Sequence, residues 1–208
     1  GQALSQWTPR QRAQQISWLG QHQAGADDLT AADVVMLGRL PHQAWWARPT
    51  ASDHQAVHHA MQQTQCWHWR DRPLGQLSGG ERQRVLIARA LAVQAPVWLM
   101  DEPLDQLDPP HQVDWWQAVR AWVQQGGTVV SVLHDISAAM RADDLVIMAQ
   151  GQVLHHGPCD QPDTHRALES VFEHRLSVHH HQGLWLALPN TAAPGLAQSR
   201  HIHEPNRA

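Results

Sequence analysis

The sequence contains no lysine, so all 15 of its basic residues are arginine. A phosphate-binding loop of the G-x-x-x-x-G-K-[ST] type requires a lysine and cannot occur within these 208 residues. Tyrosine is absent and phenylalanine occurs once, whereas tryptophan occurs 11 times. Because large aromatic residues are usually buried at least in part, we expect the pairs Trp45-Trp46 and Trp115-Trp116 to be buried or half-buried rather than exposed anchors for a partner.

Cysteine and long apolar segments are also scarce. The two cysteines, Cys66 and Cys159, form no CxxC pair, which favours a reducing, cytosolic compartment. The best candidate for a membrane span, residues 85–100, is interrupted by Arg89 and Pro96 and is shorter than the ~20 apolar residues that a bilayer needs. The N-terminus shows no basic segment followed by an apolar one, the pattern of a signal peptide. We therefore expect any membrane role to depend on a partner.

Size and charge limit the remaining classes. A chain of 208 residues suits one domain with room for a subdomain. The formal net charge is −4 and no basic block occurs, so we predict that the chain has no nucleic acid partner.

Alternating strand and helix patterns predict an α/β fold. Apolar runs at 97–100 and 128–133 indicate buried strands, and the helix between them begins at Pro109-Pro110 and ends before Gly126-Gly127. Such alternation implies a parallel, doubly wound sheet. We also expect a strand at 16–19 and a β-hairpin over 145–154 with Gln150-Gly151 at its turn. Residues 29–70 should be helical, with Thr30 as the cap and with breaks at Pro41 and Pro49.

The segment 77–84 has the sequence LSGGERQR and predicts the start of a helix. Ser78 and Glu81 fit the S-x-x-E capping box, which on its own is ordinary helix-start chemistry. Gly79 and Gly80 carry no side chain, which lets a phosphate approach the first N–H groups of the helix, where the helix dipole favours an anion. The functional interpretation of Ser78, Gly79 and Gly80 is therefore contact with a phosphate group.

Two acids and a histidine follow the predicted strands. Asp101 and Glu102 come directly after the apolar run at 97–100, and a strand delivers them at its carboxyl end, where α/β sheets bind ligands. His134 follows the run at 128–133, one crossover later, so we expect it at the neighbouring strand end. Adjacent acids are often only a polar boundary and a lone histidine is often structural, so the residues alone leave these roles open.

The LSGGERQR segment and the acids at 101–102 together resemble the signature and Walker B motifs of ATP-binding-cassette (ABC) ATPases. The resemblance implies a P-loop NTPase-like parallel sheet flanked by helices, with a helical subdomain, and it implies ATP and Mg²⁺ as cofactors. It assigns Asp101 to the Mg²⁺ shell and Glu102 to polarising the attacking water, a task for a carboxylate general base. His134 resembles the switch histidine of the family, which senses the γ-phosphate.

Further positions match the same family. Gln21 resembles the Q-loop glutamine, which touches Mg²⁺ and links the nucleotide site to the transmembrane partner. Asp108 resembles the D-loop acid, which crosses the dimer interface. The resemblance implies a homodimer in which ATP lies between the Walker motifs of one subunit and Ser78, Gly79 and Gly80 of the other.

Within the family, the chain resembles the importer subunits for ferric siderophores, haem or cobalamin. The similarity lies in VVMLGRLPH at 34–42, in His134-Asp135 followed by Ala138-Ala139, and in Gly183-Leu184-Trp185. It implies transmembrane permease subunits as partners and, indirectly, a periplasmic or extracellular substrate-binding protein. The implied location is peripheral, at the cytoplasmic face of the inner (plasma) membrane.

The resemblance divides the chain into four parts. Residues 1–21 match the end of the N-terminal part with the Q-loop, 22–77 the helical subdomain, 78–189 the RecA-like core with the signature, Walker B, D-loop and switch histidine, and 190–208 a disordered tail. The Walker A region has no match, so we expect either an N-terminally truncated sequence or a degenerate subunit. The alternative function is therefore a non-hydrolysing subunit that supplies only the LSGG half-site in trans. A DNA-repair ABC protein is disfavoured, because the sequence has no long coiled coil.

Overall fold

A computed structural model describes residues 3–21 and 26–190. The chain divides after Leu133 into two compact units. The predicted tail lies outside the described residues, except Asn190, whose N–H donates to the carbonyl oxygen of Arg175 at 2.7 Å. No helix within the described part of the chain is long and apolar enough to cross a membrane.

A three-stranded parallel sheet forms the centre of the first unit. Its strands are β1 (Ile16–Leu19), β2 (Val97–Asp101) and β3 (Thr128–Val132), and β2 lies between the other two. Val97 pairs with Ile16 on one side and with Thr128 on the other, and all three strands run in the same direction. The predicted parallel sheet is confirmed, and the carboxyl ends of its strands lie along one edge.

Among the described residues of the first unit, five α-helices accompany this sheet: α1 (Pro9–Gln15), α2 (Ala31–Met36), α3 (Ala51–Gln63), α4 (Gly79–Ala92) and α5 (Pro109–Gln124). Thr30 caps α2 as expected, because its hydroxyl accepts the N–H of Asp33. The predicted breaks are confirmed: Pro41 lies in a 3-10 turn, Leu37–His42, and Pro49 lies in the connection before α3, since proline cannot continue an α-helix. A second 3-10 turn, at Trp67–Trp69, was not predicted.

Helix α4 joins the sheet to the helical segment around it. The hydroxyl of Ser17, in β1, donates to the carbonyl oxygen of Ala90 at 2.7 Å. Arg39, in the 3-10 turn, donates to the carbonyl oxygen of Ala92 at 2.7 Å. The core that packs around α4 consists of buried apolar side chains, among them Leu19, Val34, Val35, Val57, Met61, Val85, Ile87 and Trp98.

A buried ion pair stabilises the same region. Arg39 Nε lies 3.0 Å from Asp53 Oδ1, and the two residues are 6% and 3% exposed. The pKa of Asp53 is lowered to about 2, chiefly because the N–H of Thr50 donates to its carboxylate; burial opposes the shift and the hydrogen bond from Arg39 adds to it. Breaking such a pair would leave an uncompensated buried charge. Because Asp53 lies in α3 and Arg39 also bonds to Ala92 at the end of α4, the ion pair holds these two helices together.

The two tryptophan pairs differ in burial. Trp115 and Trp116, in α5, are 5% and 8% exposed, as expected. The expectation for Trp45 and Trp46 was wrong, because they are 88% and 92% exposed. They lie in the connection between the 3-10 turn and α3, and connections of this kind run over the surface, where backbone polar groups reach water.

The described residues of the second unit, 134–190, form two hairpins and two helices: α6 (Ile136–Ala139), β4 (Asp144–Ala149), β5 (Gln152–Pro158), α7 (Pro162–Val171), β6 (Leu176–His181) and β7 (Leu184–Pro189). Met140, Ile147, Cys159, Leu168 and Leu176 form its buried core. The predicted hairpin is confirmed as β4–β5, with Gln150 and Gly151 at φ of 50° and 75°. The β6–β7 hairpin and α7 were not predicted.

Candidate functional site

The strongest contact among the predicted site residues joins Gln21 to Glu102. Gln21 follows β1 and Glu102 follows β2, so parallel pairing places both at the same edge of the sheet. The side-chain amide Nε2 of Gln21 donates to Oε1 of Glu102 at 2.9 Å. These residues are 81 positions apart in sequence, and only the sheet topology brings them together. The arrangement holds a half-buried carboxylate in a defined orientation.

The backbone of Glu102 adopts an uncommon conformation. Its φ is +51°, in the left-handed region that side chains with a Cβ seldom occupy. The N–H of Glu102 donates to the carbonyl oxygen of Val132 at 3.0 Å, which ties the residue to the end of β3. A left-handed residue other than glycine costs roughly 1–2 kcal/mol. Unusual backbone of this kind clusters at functional sites, where the surrounding structure maintains it.

Asp101 is the last residue of β2 and pairs with Val132 of β3. Its carboxylate and the amide oxygen of Gln21 are hard oxygen donors, the type that Mg²⁺ prefers. Mg²⁺ usually takes one or two protein ligands and completes its shell with phosphate and water. The donor set therefore fits a nucleotide-bound Mg²⁺. Within residues 3–21 and 26–190, no group of three or more His, Cys, Asp or Glu side chains forms a metal site of its own.

His134 and Asp108 occupy ends of secondary structure. His134 comes two residues after Val132, the residue whose carbonyl oxygen accepts the N–H of Glu102, and it is the first residue of the second unit. Asp108 is the N-cap of α5, where its carboxylate accepts the N–H of His111 at 3.4 Å. The structure thus gives Asp108 a capping role in its own chain, and the D-loop role across a dimer remains a prediction.

The start of α4 has the predicted capping box. Ser78 is the N-cap, its N–H donates to Oε2 of Glu81 at 2.8 Å, and its hydroxyl accepts the N–H of Glu81 at 3.4 Å. The pKa of Glu81 is lowered, chiefly because of the hydrogen bond from the N–H of Ser78. Ser78 and Gly79 are exposed.

Gly79 and Gly80 are approached closely from within the chain. A Cβ on Gly79 would collide with the side-chain amide oxygen of Gln106. A Cβ on Gly80 would lie 2.8 Å from the backbone carbonyl oxygen of Gln106. The absence of side chains at these positions therefore already serves the packing of the loop at 102–108 against α4.

Sequence reasoning missed two glutamines in this region. Gln83 of α4 donates through Nε2 to the carbonyl oxygen of Pro103 at 3.1 Å and lies 3.4 Å from that of Glu102. Gln83 lies four residues after Gly79 and therefore on the same face of α4, so helix spacing could have predicted that it lies near the site. Gln106 contacts Gly79 and Gly80, and nothing in its sequence neighbourhood indicates this.

The match to known proteins is consistent with this geometry. Residues 1–105 match the family model described as "ABC transporter". The chain belongs to the ABC transporter ATPase family. The hemin import ATP-binding protein HmuV of Rhodococcus jostii (strain RHA1) is 38% identical over 191 residues, which are 89% of this chain and 64% of that protein. The ferric enterobactin transport ATP-binding protein FepC of Escherichia coli (strain K12) is 32% identical over 180 residues, 86% of this chain and 66% of that protein.

A solved structure of an ABC cassette has the same fold as this chain. The dimeric structure of a bacterial ABC transporter cassette is 27% identical and superposes with a TM-score of 0.65 over 73% of this chain and 66% of that one. This chain spans just under two thirds of the length of the two relatives named above.

Proposed function

We propose that this chain is part of an ATP-hydrolysing subunit that energises the import of an iron chelate, either hemin or a ferric siderophore. The observation that carries the ATPase assignment is the hydrogen bond from Gln21 to Glu102 at the carboxyl edge of the sheet. The substrate class is supported by the relatives, whose names specify hemin and ferric enterobactin import. Those two names give no support to cobalamin, which the sequence resemblance also implied.

The proposed reaction uses Glu102 as the general base. Its carboxylate accepts a proton from the water that attacks the γ-phosphate, and the amide of Gln21 keeps that carboxylate in position. Asp101 and the amide oxygen of Gln21 would hold Mg²⁺, which neutralises charge on the β- and γ-phosphate oxygens. His134 would contact the γ-phosphate from the end of the neighbouring strand.

The proposed assembly is a head-to-tail homodimer of these subunits beneath two permease subunits. Ser78, Gly79 and Gly80 at the exposed start of α4 would face the nucleotide held by the partner subunit, while Asp108 would lie near the dimer interface. The solved relative is a dimeric cassette, which supports this arrangement. The permease would place the subunit at the cytoplasmic face of the membrane, with a substrate-binding protein on the opposite side.

The central test compares Glu102→Gln with the wild type in the protein expressed from its complete reading frame. The amide retains the shape of the side chain and loses its basicity, so we expect turnover to fall ~10²–10⁴-fold while ATP binding persists. Glu173→Gln, a substitution of an exposed glutamate in the second unit, is the matched control and should turn over normally. Normal turnover of Glu102→Gln would remove Glu102 as the base.

The same experiment distinguishes the proposed ATPase from the alternative function. A wild-type protein that binds ATP, forms a dimer and does not hydrolyse would be the non-hydrolysing subunit that supplies the LSGG half-site. The substrate class is tested by uptake of labelled hemin, ferric siderophore or cobalamin in cells that lack only this gene. Loss of hemin or siderophore uptake supports the proposal, whereas loss of cobalamin uptake alone contradicts it.

A further inference from the structure

Gln106 packs against the first residues of α4 within the same chain. Its amide oxygen would collide with a Cβ on Gly79, and its backbone carbonyl oxygen would lie 2.8 Å from a Cβ on Gly80. The first N–H groups of a helix have no partner within the helix and carry partial positive charge, so they attract a negatively polarised oxygen. The carbonyl end of the Gln106 side chain is such an oxygen.

Several hydrogen bonds hold the loop that carries Gln106, whereas its side chain makes one long hydrogen bond. Gln83 holds the loop through the carbonyl oxygen of Pro103, and two turns close within it, with Asp105 N–H donating to Glu102 O at 3.1 Å and Leu107 N–H to Leu104 O at 3.2 Å. Gln106 has φ of +60° and is exposed. Its Nε2 makes a long hydrogen bond of 3.4 Å to Asp105. Rotation of this side chain away from Gly79 therefore breaks little.

We propose that the side chain of Gln106 competes with a nucleotide phosphate for the start of α4 and thereby sets the nucleotide concentration at which two subunits close on ATP. This inference rests on the proposed function, in which the partner's nucleotide faces Ser78, Gly79 and Gly80. A phosphate that reaches Gly79 must displace the amide oxygen of Gln106. Gln106 touches no reacting atom in this scheme, so it is a positioning residue and changes the concentration dependence without changing the chemical step.

Substitutions of Gln106 in the protein from the complete reading frame test the competition. Gln106→Ala removes the side chain, and Gln106→Met keeps its length without the amide oxygen, so both should lower the KM for ATP about 2- to 5-fold with kcat unchanged. Gln106→Glu places a full negative charge at the helix start and should raise the KM by a similar or larger factor. Gln125→Glu, at the exposed end of α5, is the charge-matched control and should leave both constants unchanged.

A second measurement tests the placement of Gln106 without nucleotide. Gly79→Ala inserts a Cβ where the Gln106 amide oxygen lies, so it should lower the urea midpoint in the wild-type background and have a smaller effect in the Gln106→Ala background. Equal effects in the two backgrounds would show that the side chain does not occupy this position.

The outcomes separate this inference from the proposed function. If the wild type hydrolyses ATP and Gln106→Ala and Gln106→Met leave the KM unchanged or raise it, the competition is refuted and the ATPase assignment stands. If the wild type binds ATP and dimerises without hydrolysis, the midpoint of ATP-dependent dimerisation replaces the KM and should shift in the same directions. If the wild type neither binds nor hydrolyses ATP, both proposals are wrong.

Discussion

The left-handed backbone at Glu102 predicts an inverted preference between alanine and glycine. Both substitutions remove the carboxylate and with it the hydrogen bond from Gln21, so the two variants differ only by a Cβ. At φ of +51° that Cβ is unfavourable, whereas glycine adopts this conformation readily. We therefore expect Glu102→Gly to be more stable than Glu102→Ala, the reverse of the usual order.

The size of the difference follows from two opposing terms. A residue with a Cβ in the left-handed region costs roughly 1–2 kcal/mol. Glycine loses more conformational freedom on folding than alanine, at a cost of roughly 0.5–1 kcal/mol. The midpoints of these two ranges leave glycine at position 102 a net advantage of about 0.8 kcal/mol. For a chain of this size that difference corresponds to a Tm shift of about 2–3 °C.

Urea unfolding of the two variants, followed by tryptophan fluorescence and far-UV circular dichroism, measures the difference. Gln55, exposed in the interior of α3, is the matched control, because there Gly should be about 1 kcal/mol less stable than Ala. The comparison requires that the free energy of unfolding falls with urea concentration at the same slope in all four variants, since a changed slope indicates a different unfolded or native ensemble. If Ala is as stable as Gly at position 102, or more stable, the backbone there is not strained and the reasoning is wrong.

Other contacts give further outcomes. Asp53→Asn should lower the free energy of unfolding by about 3 kcal/mol in urea, because it leaves Arg39 buried without its charged partner, whereas the exposed Asp71→Asn should change it by less than about 1 kcal/mol. Because the pKa of Asp53 is lowered to about 2 in the folded chain, its contribution is complete above about pH 4 and is lost as the pH falls towards 2; Asp53→Asn should lack this dependence. Gln21→Ala, in the protein from the complete reading frame, should reduce kcat ~10- to 100-fold, because the carboxylate of Glu102 loses the group that orients it; an unchanged steady-state rate would exclude that role. Gln182→Asn should raise the urea midpoint slightly, because asparagine adopts the left-handed conformation at lower cost, and Gln152→Asn, in a strand, should not.

The parallel sheet and the helix starts could be predicted because their signals are local. The apolar run before Asp101 and the capping box at Ser78 each depend on a few adjacent residues, and the structure has both. The contact between Gln21 and Glu102 depends on which strands are neighbours. Sequence reasoning reached it only through a family resemblance, because an isolated glutamine in a loop carries no signal.

The missed β6–β7 hairpin has a turn signal that was used to predict the β4–β5 hairpin. The turn Gln182-Gly183 has the same pattern as Gln150-Gly151, and both turns have positive φ at both residues. Apolar residues precede the first turn, whereas three histidines, at 179–181, precede the second, and only the first was predicted to be a hairpin. The prediction for Trp45 and Trp46 failed for a different reason. It used the average burial of tryptophan, whereas these two residues lie in a surface connection and are exposed.

The loop at 102–108 shows why the least favourable backbone lies beside the proposed chemistry. The proposed base at position 102 needs a carboxylate, which here also accepts the hydrogen bond from Gln21, and glycine, the residue that suits φ of +51°, cannot supply one. The strain is maintained by contacts at both ends, from the carbonyl oxygen of Val132 to the side chain of Gln83. Glu102→Gly should therefore be more stable than Glu102→Ala and yet lack the proposed base, so the residue that best suits the backbone here is not the one that suits the proposed chemistry.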